Sequence, residues 1–392
     1  MACLPVLVLH ARAASRDSAM KRVAIIQRLL PHYRIPMFDA LHQTLAQRGI
    51  GLTVYFGREK PGTVPRTADV SAPWAKEITN HYWSLGAGEI VWQSVIGEVT
   101  GADLVIVEQA MRLPLNLWLQ ARRLFRRSKV AFWGHGRNLQ ARGGNRIVEG
   151  AKKVLLCGVD WWFAYTSLSA SIVIEAGFPS DRLTILNNTV DTQSLERDLR
   201  EATAERVDEL RREWGIRGEN VGLYIGGMYP DKRLSFLISG LERIRSDIND
   251  FEMIFLGDGP DSGIVEAAAQ RFPWVHFPGL AFGQRKATFL ALARVLLMPG
   301  AVGLVAVESL IAGVPLATTA ISIHGPEIAY LVHDQNALVA DDDIESYARE
   351  VVGLLRDSAR LARLRTGCIA TARTLSLAGM VDRFADGISA CI

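Results

Sequence analysis

The residues able to do chemistry in this chain sit where apolar runs give way to glycine. Val221–Ile225 is followed at once by Gly226-Gly227-Met228, with Lys232 and Arg233 a few positions on. Paired glycines let a ligand approach the backbone, and a lysine at that distance can set a point charge on a phosphate. A plain strand-to-helix turn with solvated cations has the same sequence, so the motif alone leaves both open. Gly257-Asp258-Gly259-Pro260 repeats the arrangement after Glu252–Leu256, and such turns also serve only to reverse the chain. The most telling stretch is Met298–Pro315, M-P-G-A-V-G-L-V-A-V-E-S-L-I-A-G-V-P. It turns through Pro299, Gly300 and Gly303, enters a helix and stops at Gly313 and Pro315. Strand, glycine turn and helix start together present backbone N–H groups to an anion such as phosphate. Glu308 shares a helical stripe with Leu304 and Ile311, so a carboxylate stands where a hydrophobe belongs. It needs donors, from protein or from ligand.

Further candidates lie in the first half. His135, within Trp133-Gly134-His135-Gly136-Arg137-Asn138, ends the run Lys129–Trp133. Its flanking glycines leave the imidazole accessible, which favours a cleft position over the commoner core histidine. His32, Tyr33 and Arg34 follow the first apolar run, in a loop whose polar residues are often merely solvated. His324, Gly325 and Glu327 lie between a strand and a helix; Pro326 suits a first helical turn, and the positive helix end is a sufficient explanation for Glu327. Arg122, Arg123, Arg126 and Arg127 share one sector of Leu115–Arg127, opposite Leu117, Ala121 and Leu124. That sector is either a solvated face or one drawn to an anionic lipid surface at roughly 1 kcal/mol per charge.

The elements that must position these groups alternate. Val23–Gln27, Leu52–Phe56, Leu104–Val107, Lys129–Trp133, Trp162–Tyr165 and Leu183–Leu186 have the continuous apolar character of strands buried on both faces. Met37–Arg48, Leu115–Arg127 and Leu168–Ala176 are helical, and Gly57–Pro73 is expected to be a mobile loop. Thr192–Gly215 is charged and helical without a strand, a linker between halves. A second series follows: strands at Val221–Ile225, Glu252–Leu256, Val275–Phe277, Val295–Met298 and Leu316–Thr319, each separated by helix-like sequence such as Leu234–Arg245 and Gly263–Arg271, then closing helices Ile344–Leu364 and Leu377–Ser389. Alternation of this kind predicts α/β architecture: two doubly wound Rossmann-like domains facing across a cleft, with ligands at the carboxyl ends of the strands. The expected division is an extension over 1–19, an acceptor-side domain over 20–195, a donor domain over 196–375, and a last helix over 376–392 that packs back on the first domain.

A chain of 392 residues suits two domains, and 49% apolar with 22% charged residues is a globular composition. A net charge of +3 is too small to imply nucleic acid. Cys3, Cys157, Cys368 and Cys391 show neither C-x-x-C nor metal-ligand spacing, which fits reduced thiols in the cytosol. No apolar run reaches the length of a spanning helix, about 18 residues. Residues 1–19 lack the basic start of a signal peptide and are expected to be poorly ordered, or to precede a true start at Met20. The absence of G-x-S-x-G, H-E-x-x-H, Walker A and G-x-G-x-x-G patterns removes support for a hydrolase elbow, a zinc protease and a P-loop NTPase.

Together these motifs resemble the GT-B glycosyltransferases, specifically the retaining group called family 4, from about Met20 onward and most strongly in the second half. G-G-M-Y-P-D-K-R-L-S-F-L at Gly226–Leu237 is similar to that family's donor-phosphate turn, and G-D-G-P is a frequent landmark. The resemblance implies that Lys232 is the catalytic lysine on the donor phosphate and that Glu308, matching the family's second glutamate, holds the ribose hydroxyls. Gly226, Gly227, Arg233, Gly303, Leu304 and Val305 would complete the donor side. It further implies that His135 sits near the transferred sugar, and that L-P-H-Y-R-I-P, with His32, Tyr33 and Arg34, and Arg137 face the acceptor. N-N-T-V-D at Asn187–Asp191 resembles the family's N-G-V-D at the domain junction. The implied activity is transfer, with retention, of a hexosyl-type sugar from a nucleotide-diphosphate sugar to a saccharide or lipid-linked saccharide, in bacterial cell-surface polysaccharide or glycolipid synthesis. No metal or other cofactor is implied, and the location is cytoplasmic, extending to a peripheral position on the inner membrane face through the four arginines.

Two positions depart from the family pattern. Gly300 stands where the first glutamate is usual, eight residues before Glu308, and Gly227 stands where an arginine is frequent, with Arg233 the nearest substitute. A subset carrying P-G-x-x-G-L would account for both. The sequence is also compatible with two rivals: a sugar-nucleotide epimerase, which needs no acceptor, and a degenerate transferase that only binds a partner or scaffold.

Overall fold

The computed structural model describes residues 20–63, 67–85, 88–110, 112–123, 125, 128–136 and 155–392. The expected extension over 1–19, Arg126, Arg127 and Arg137 lie outside the described residues. Two parallel sheets form the frame. The first runs β1 (Lys21–Gln27), β2 (Ile50–Phe56), β3 (Ala75–Glu77), β6 (Leu104–Glu108), β7 (Lys129–Gly134), β8 (Trp161–Ala164) and β9 (Leu183–Ile185), in the spatial order β3-β2-β1-β6-β7-β8-β9. The second runs β10 (Asn220–Ile225), β11 (Phe251–Leu256), β12 (Val275–Gly279), β13 (Val295–Leu297), β14 (Leu316–Thr319) and β15 (Ala337–Ala340), in the order β12-β11-β10-β13-β14-β15. In both, the chain winds outward from the first strand and then reverses. The switch points lie between β1 and β6 and between β10 and β13, where crevices open at the carboxyl ends.

Helices cover both faces because each strand buries apolar side chains above and below. Ile25, Leu104 and Ile106 join one core, while Ala24, Val105 and Val107 join the other. Helix Ile35–Gln47 starts with Pro36 in its first turn and buries Met37, Phe38, Leu41 and Leu45 on one stripe.

Several local expectations change. Sequence reasoning omitted β3 and the antiparallel hairpin β4 (Asn80–Leu85) with β5 (Gly88–Gln93), which is bonded to the first sheet's carboxyl edge through Asn80 Nδ2 to Arg28 O at 2.8 Å and Gln93 Nε2 to Gln27 O at 3.2 Å. It also omitted β15, while helix Gly283–Leu292 fills the gap expected to be helical between Val275–Phe277 and Val295–Met298. The closing helix expected over Ile344–Leu364 is two, Ile344–Arg356 and Ser358–Ala372. They divide at Asp357, whose carboxylate takes the Arg360 amide at 2.9 Å and caps the second. The charged stretch Thr192–Gly215 forms helices Thr192–Glu201 and Ala204–Trp214, and Leu195 and Leu210 sink into the second sheet's core. Within Gly57–Pro73, Ala68 is fully buried and donates its amide to Leu30 O at 2.7 Å. The last helix, Leu377–Cys391, returns to the first sheet, where Phe384 meets Trp133 at 5.1 Å and Phe163 at 4.6 Å between ring centroids.

Candidate functional site

At the second sheet's switch point the glycine turns stack on one another. Met228 N donates to Asp258 O at 2.8 Å, and Asp261 N donates back to Met228 O at 3.0 Å. This contact is why Gly257 is glycine: with φ at +151°, a Cβ there would lie 1.9 Å from Gly226 O. Tyr224 supports the first turn from below, its hydroxyl donating to Gly227 O at 2.9 Å.

The turn after β13 explains the missing glutamate. A Cβ on Gly300 would stand 2.4 Å from Asp231 O and from Lys232 O. Those atoms belong to the 3-10 turn Pro230–Lys232, which is held against this segment by Ala301 N to Asp231 O at 2.9 Å and by the Lys232 ammonium donating to Ala301 O. No side chain of any kind fits at 300 in this arrangement. At Gly227 the neighbour is a side chain instead: the Tyr229 ring passes 2.5 Å from where a Cβ would be, and a larger residue needs that ring to turn aside.

Helix Val305–Ala312 begins without a side-chain cap and ends at Gly313 in the left-handed region. Among the described residues the amides of Gly303, Leu304 and Val305 have no hydrogen-bond acceptor, and the space beside Gly303 is open. Unsatisfied amides at a helix start form an anion site. Beside them a cavity of about 310 Å3 is lined by Gly226, Gly227, Gly257, Asp258, Val305 and Glu308, and by Leu280, Phe282 and Lys286. Glu308 accepts from Lys286 Nζ at 2.8 Å, both side chains being largely buried. Phe282 stands 73% exposed at the cavity mouth.

The structure thus gathers Gly226, Gly227, Val305 and Glu308 around one cavity, with Gly303 and Leu304 at its edge. Lys232 lies in the adjoining turn, and burial pulls its pKa below the ordinary lysine value. Arg233 is turned elsewhere: left-handed itself, it pairs with Asp342 at 2.5 Å, reaches Thr319 Oγ1 at 3.3 Å and lies over Phe236.

Across from this, His32 and Tyr33 are exposed, whereas Arg34 is only 4% exposed. His135 is exposed at the end of β7, its ring 4.5 Å from that of Tyr165. Glu108, which ends β6 at the first switch point, accepts the Arg28 amide at 3.0 Å. Burial pushes its carboxyl pKa up, against the Arg28 amide bond and the charges of Arg28, Arg112 and Arg34. Of the arginine sector, Arg122 donates to Thr100 O at 2.5 Å and Arg123 pairs with Asp160 at 2.7 Å. Phe125 beside them is 77% exposed.

Sequence reasoning missed Lys286, Phe282, Glu108 and the partners of Arg34. Only Glu108 had a local signal, a carboxylate ending an apolar strand in a doubly wound sheet. Among the described residues no group of His, Cys, Asp and Glu is placed to hold a metal ion, and no helix is long and apolar enough to cross a membrane.

The sequence model of the family described as glycosyl transferases group 1 matches residues 219–357, the second sheet with its turns. No curated protein sequence matches the chain. Among solved structures, Anabaena Alr3699/HepE in complex with UDP is 15% identical with a TM-score of 0.69, over 95% of this chain and 100% of that one. Sucrose-phosphate synthase from Thermosynechococcus elongatus is 14% identical with a TM-score of 0.66, over 94% and 98%. WaaG, a glycosyltransferase involved in lipopolysaccharide biosynthesis, is 16% identical with a TM-score of 0.65, over 93% and 98%. The chain therefore has the GT-B fold, two Rossmann-like domains across a cleft.

Proposed function

We propose that this protein is a glycosyltransferase that moves a hexosyl-type sugar from a nucleotide-diphosphate sugar to a saccharide or lipid-linked saccharide, with retention, as family 4 enzymes do. The observation that carries the proposal is the cavity at the second switch point: unsatisfied amides at Gly303–Val305, the stacked glycine turns and the Glu308 carboxylate share it. The group 1 match over the same residues and the UDP in the Anabaena structure support it.

In this reading the diphosphate lies on the amides of 303–305 with Lys232 beside it, and Glu308 takes the ribose hydroxyls. Phe282 offers a face to the base. The bond from the anomeric carbon to the phosphate oxygen breaks with its electron pair going to the diphosphate, where fixed donors stabilise the growing charge. The acceptor oxygen bonds to the same face of the sugar, and its proton passes to the departing phosphate. His135, with Tyr33 and Glu108, faces the acceptor. Closure of the cleft keeps water from competing. A cytoplasmic protein whose Arg122 and Phe125 edge touches an anionic membrane would meet acceptors of cell-surface polysaccharide or glycolipid synthesis. Sedimentation with anionic vesicles tests that part.

The experiment for the core proposal is a thermal-shift screen of nucleoside diphosphates and their sugars, followed by NMR of the product anomer. A diphosphate should raise the melting temperature through mass action. Inversion would remove the retaining assignment, conversion of donor without acceptor would favour an epimerase, and no shift with any nucleotide would sink the proposal.

A further inference from the structure

Three buried polar side chains from distant parts of the sequence meet between the domains. Arg34 follows β1, Asn188 follows β9, and Glu327 lies in the 3-10 turn Pro326–Tyr330 of the second domain. They are 4%, 1% and 4% exposed. Arg34 Nη1 donates to Asn188 Oδ1 at 2.9 Å, and Asn188 Nδ2 donates to Glu327 Oε1 at 2.5 Å. A guanidinium only donates and a carboxylate only accepts, so just one orientation of the Asn188 amide satisfies both. A cation and an anion in separate domains are thus joined through a neutral amide.

Each end of this chain touches one half of the proposed site. The Arg34 guanidinium lies over the rings of Trp133 at 4.8 Å and Tyr165 at 5.5 Å, and Tyr165 carries the His135 ring. At the other end, Glu327 Oε2 lies 2.8 Å from where Gly325 would carry a Cβ. Gly325 N in turn clamps Val302 O at 2.6 Å, immediately before the unsatisfied amides. Two further bonds cross the same seam, Thr166 Oγ1 to Pro326 O and Tyr330 OH to Asn188 O, both at 3.0 Å, but they use backbone oxygens and carry no charge.

We propose that Arg34, Asn188 and Glu327 form a positioning bridge that sets the distance between the His135 face and the phosphate amides. In this assignment Arg34 supports the acceptor side from behind and touches no substrate. The bridge rests on the transferase reading only for its catalytic consequence; its effect on domain spacing does not.

The test exploits polarity. Asn188→Asp places two carboxylates together; with all variants compared at about pH 9, where the pair does not hold a shared proton, it breaks the bridge. Adding Glu327→Gln restores it, with Arg34 donating to the new carboxylate and the Gln amide donating to its other oxygen. For Asn188→Asp the expected result is a transfer kcat lower by about 10- to 100-fold, the size of effect an ångström of misplacement causes. The affinity for UDP, measured by calorimetry, should stay within about twofold, since no donor contact is altered. The double variant should recover most of the loss. Small-angle scattering, which needs no activity, should show Asn188→Asp more extended and the double variant compact again.

Unchanged scattering for a folded Asn188→Asp, or a double variant no better than the single, overturns the bridge. A loss of UDP affinity matching the loss of kcat would place these residues in the donor site and also overturn it. If the scattering follows the predicted pattern but the wild type transfers nothing, the bridge stands and the transferase reading falls.

Discussion

Replacing Gly300 tests whether its lack of a side chain is a loss of function or a packing requirement. If a carboxylate were simply missing, Gly300→Glu would restore a contact to the sugar. The structure predicts the opposite. A Cβ at 300 meets two backbone oxygens and one carbonyl carbon of Asp231 and Lys232, all at 2.4 Å, and backbone cannot swing aside as a side chain can. Relief needs a shift of about an ångström in the turn that carries Lys232, an overpacking cost of about 1–3 kcal/mol. The bond from Ala301 N to Asp231 O would weaken too, adding about 1 kcal/mol. For a domain of this size each kcal/mol lowers the melting temperature by about 2–4 °C. Gly300→Ala is the cleaner probe, since it adds the clash without a charge. Calorimetry of unfolding together with UDP titration should show a melting point several degrees lower and UDP affinity down by about tenfold or more, because Lys232 moves with its turn. Gly303→Ala is the comparison: with nothing within 4 Å of its Cβ, its melting temperature should hold while UDP affinity falls. A Gly300→Ala protein with wild-type stability and wild-type UDP affinity would refute the reasoning.

Other expectations follow from the same geometry. Lys232→Ala should lower turnover by roughly 10²–10³-fold in a protein that still folds, as removal of one fixed donor does. Because burial lowers the Lys232 pKa below 10.5, the unfolded chain holds that proton to higher pH than the folded one. This group therefore adds stability as pH climbs from its folded pKa towards 10.5, while kcat/KM, which follows the free enzyme, falls over the same interval as the ammonium is lost; Lys232→Arg should remove that alkaline limb. Glu308→Ala should weaken UDP binding by about tenfold in calorimetry through the loss of charge-assisted bonds, and unchanged affinity would take it out of the donor site. Phe282→Ala should cost about 1–3 kcal/mol of nucleotide affinity without moving the melting temperature, and equal binding of UDP would mean the base does not stack there.

The frame was legible because a strand buried on both faces leaves an unbroken apolar run, as Val23–Gln27 and Leu104–Val107 do. The hairpin at Asn80–Gln93 escaped notice for the converse reason. One face carries His81 and the half-exposed Trp83, so its strands mix polar and aromatic residues without a clean period. The division at Asp357 was readable in principle, since Asp-Ser before Ala-Arg is a helix-start signal inside what looked like one helix. At the candidate site, the glycine turns and the helix start that carries Glu308 were legible because their backbone geometry depends on neighbours in sequence. Glu308 was seen to need a donor, but Lys286 lies 22 residues earlier on another helix. The bridge from Arg34 to Glu327 was invisible for the same reason. Asn188 reads as part of a domain-junction motif and Glu327 as a helix-end charge until tertiary structure buries both.

The return of helix Leu377–Cys391 to the first sheet has a consequence for how the protein is made. Met380, Val381, Phe384, Ala385 and Ile388 are part of the core that also contains Ile25, Leu104 and Trp133. Translation supplies about 5–20 residues per second, and domains ordinarily fold in the order they appear. Here the first sheet emerges early but keeps an open apolar groove, while the second domain is synthesised in full. The second domain is complete in sequence first, and the first can close only when the final helix is released. The first domain's core is thus incomplete in sequence until the second domain has been synthesised, and the groove that awaits Phe384 is a surface a chaperone would have reason to cover in the interval.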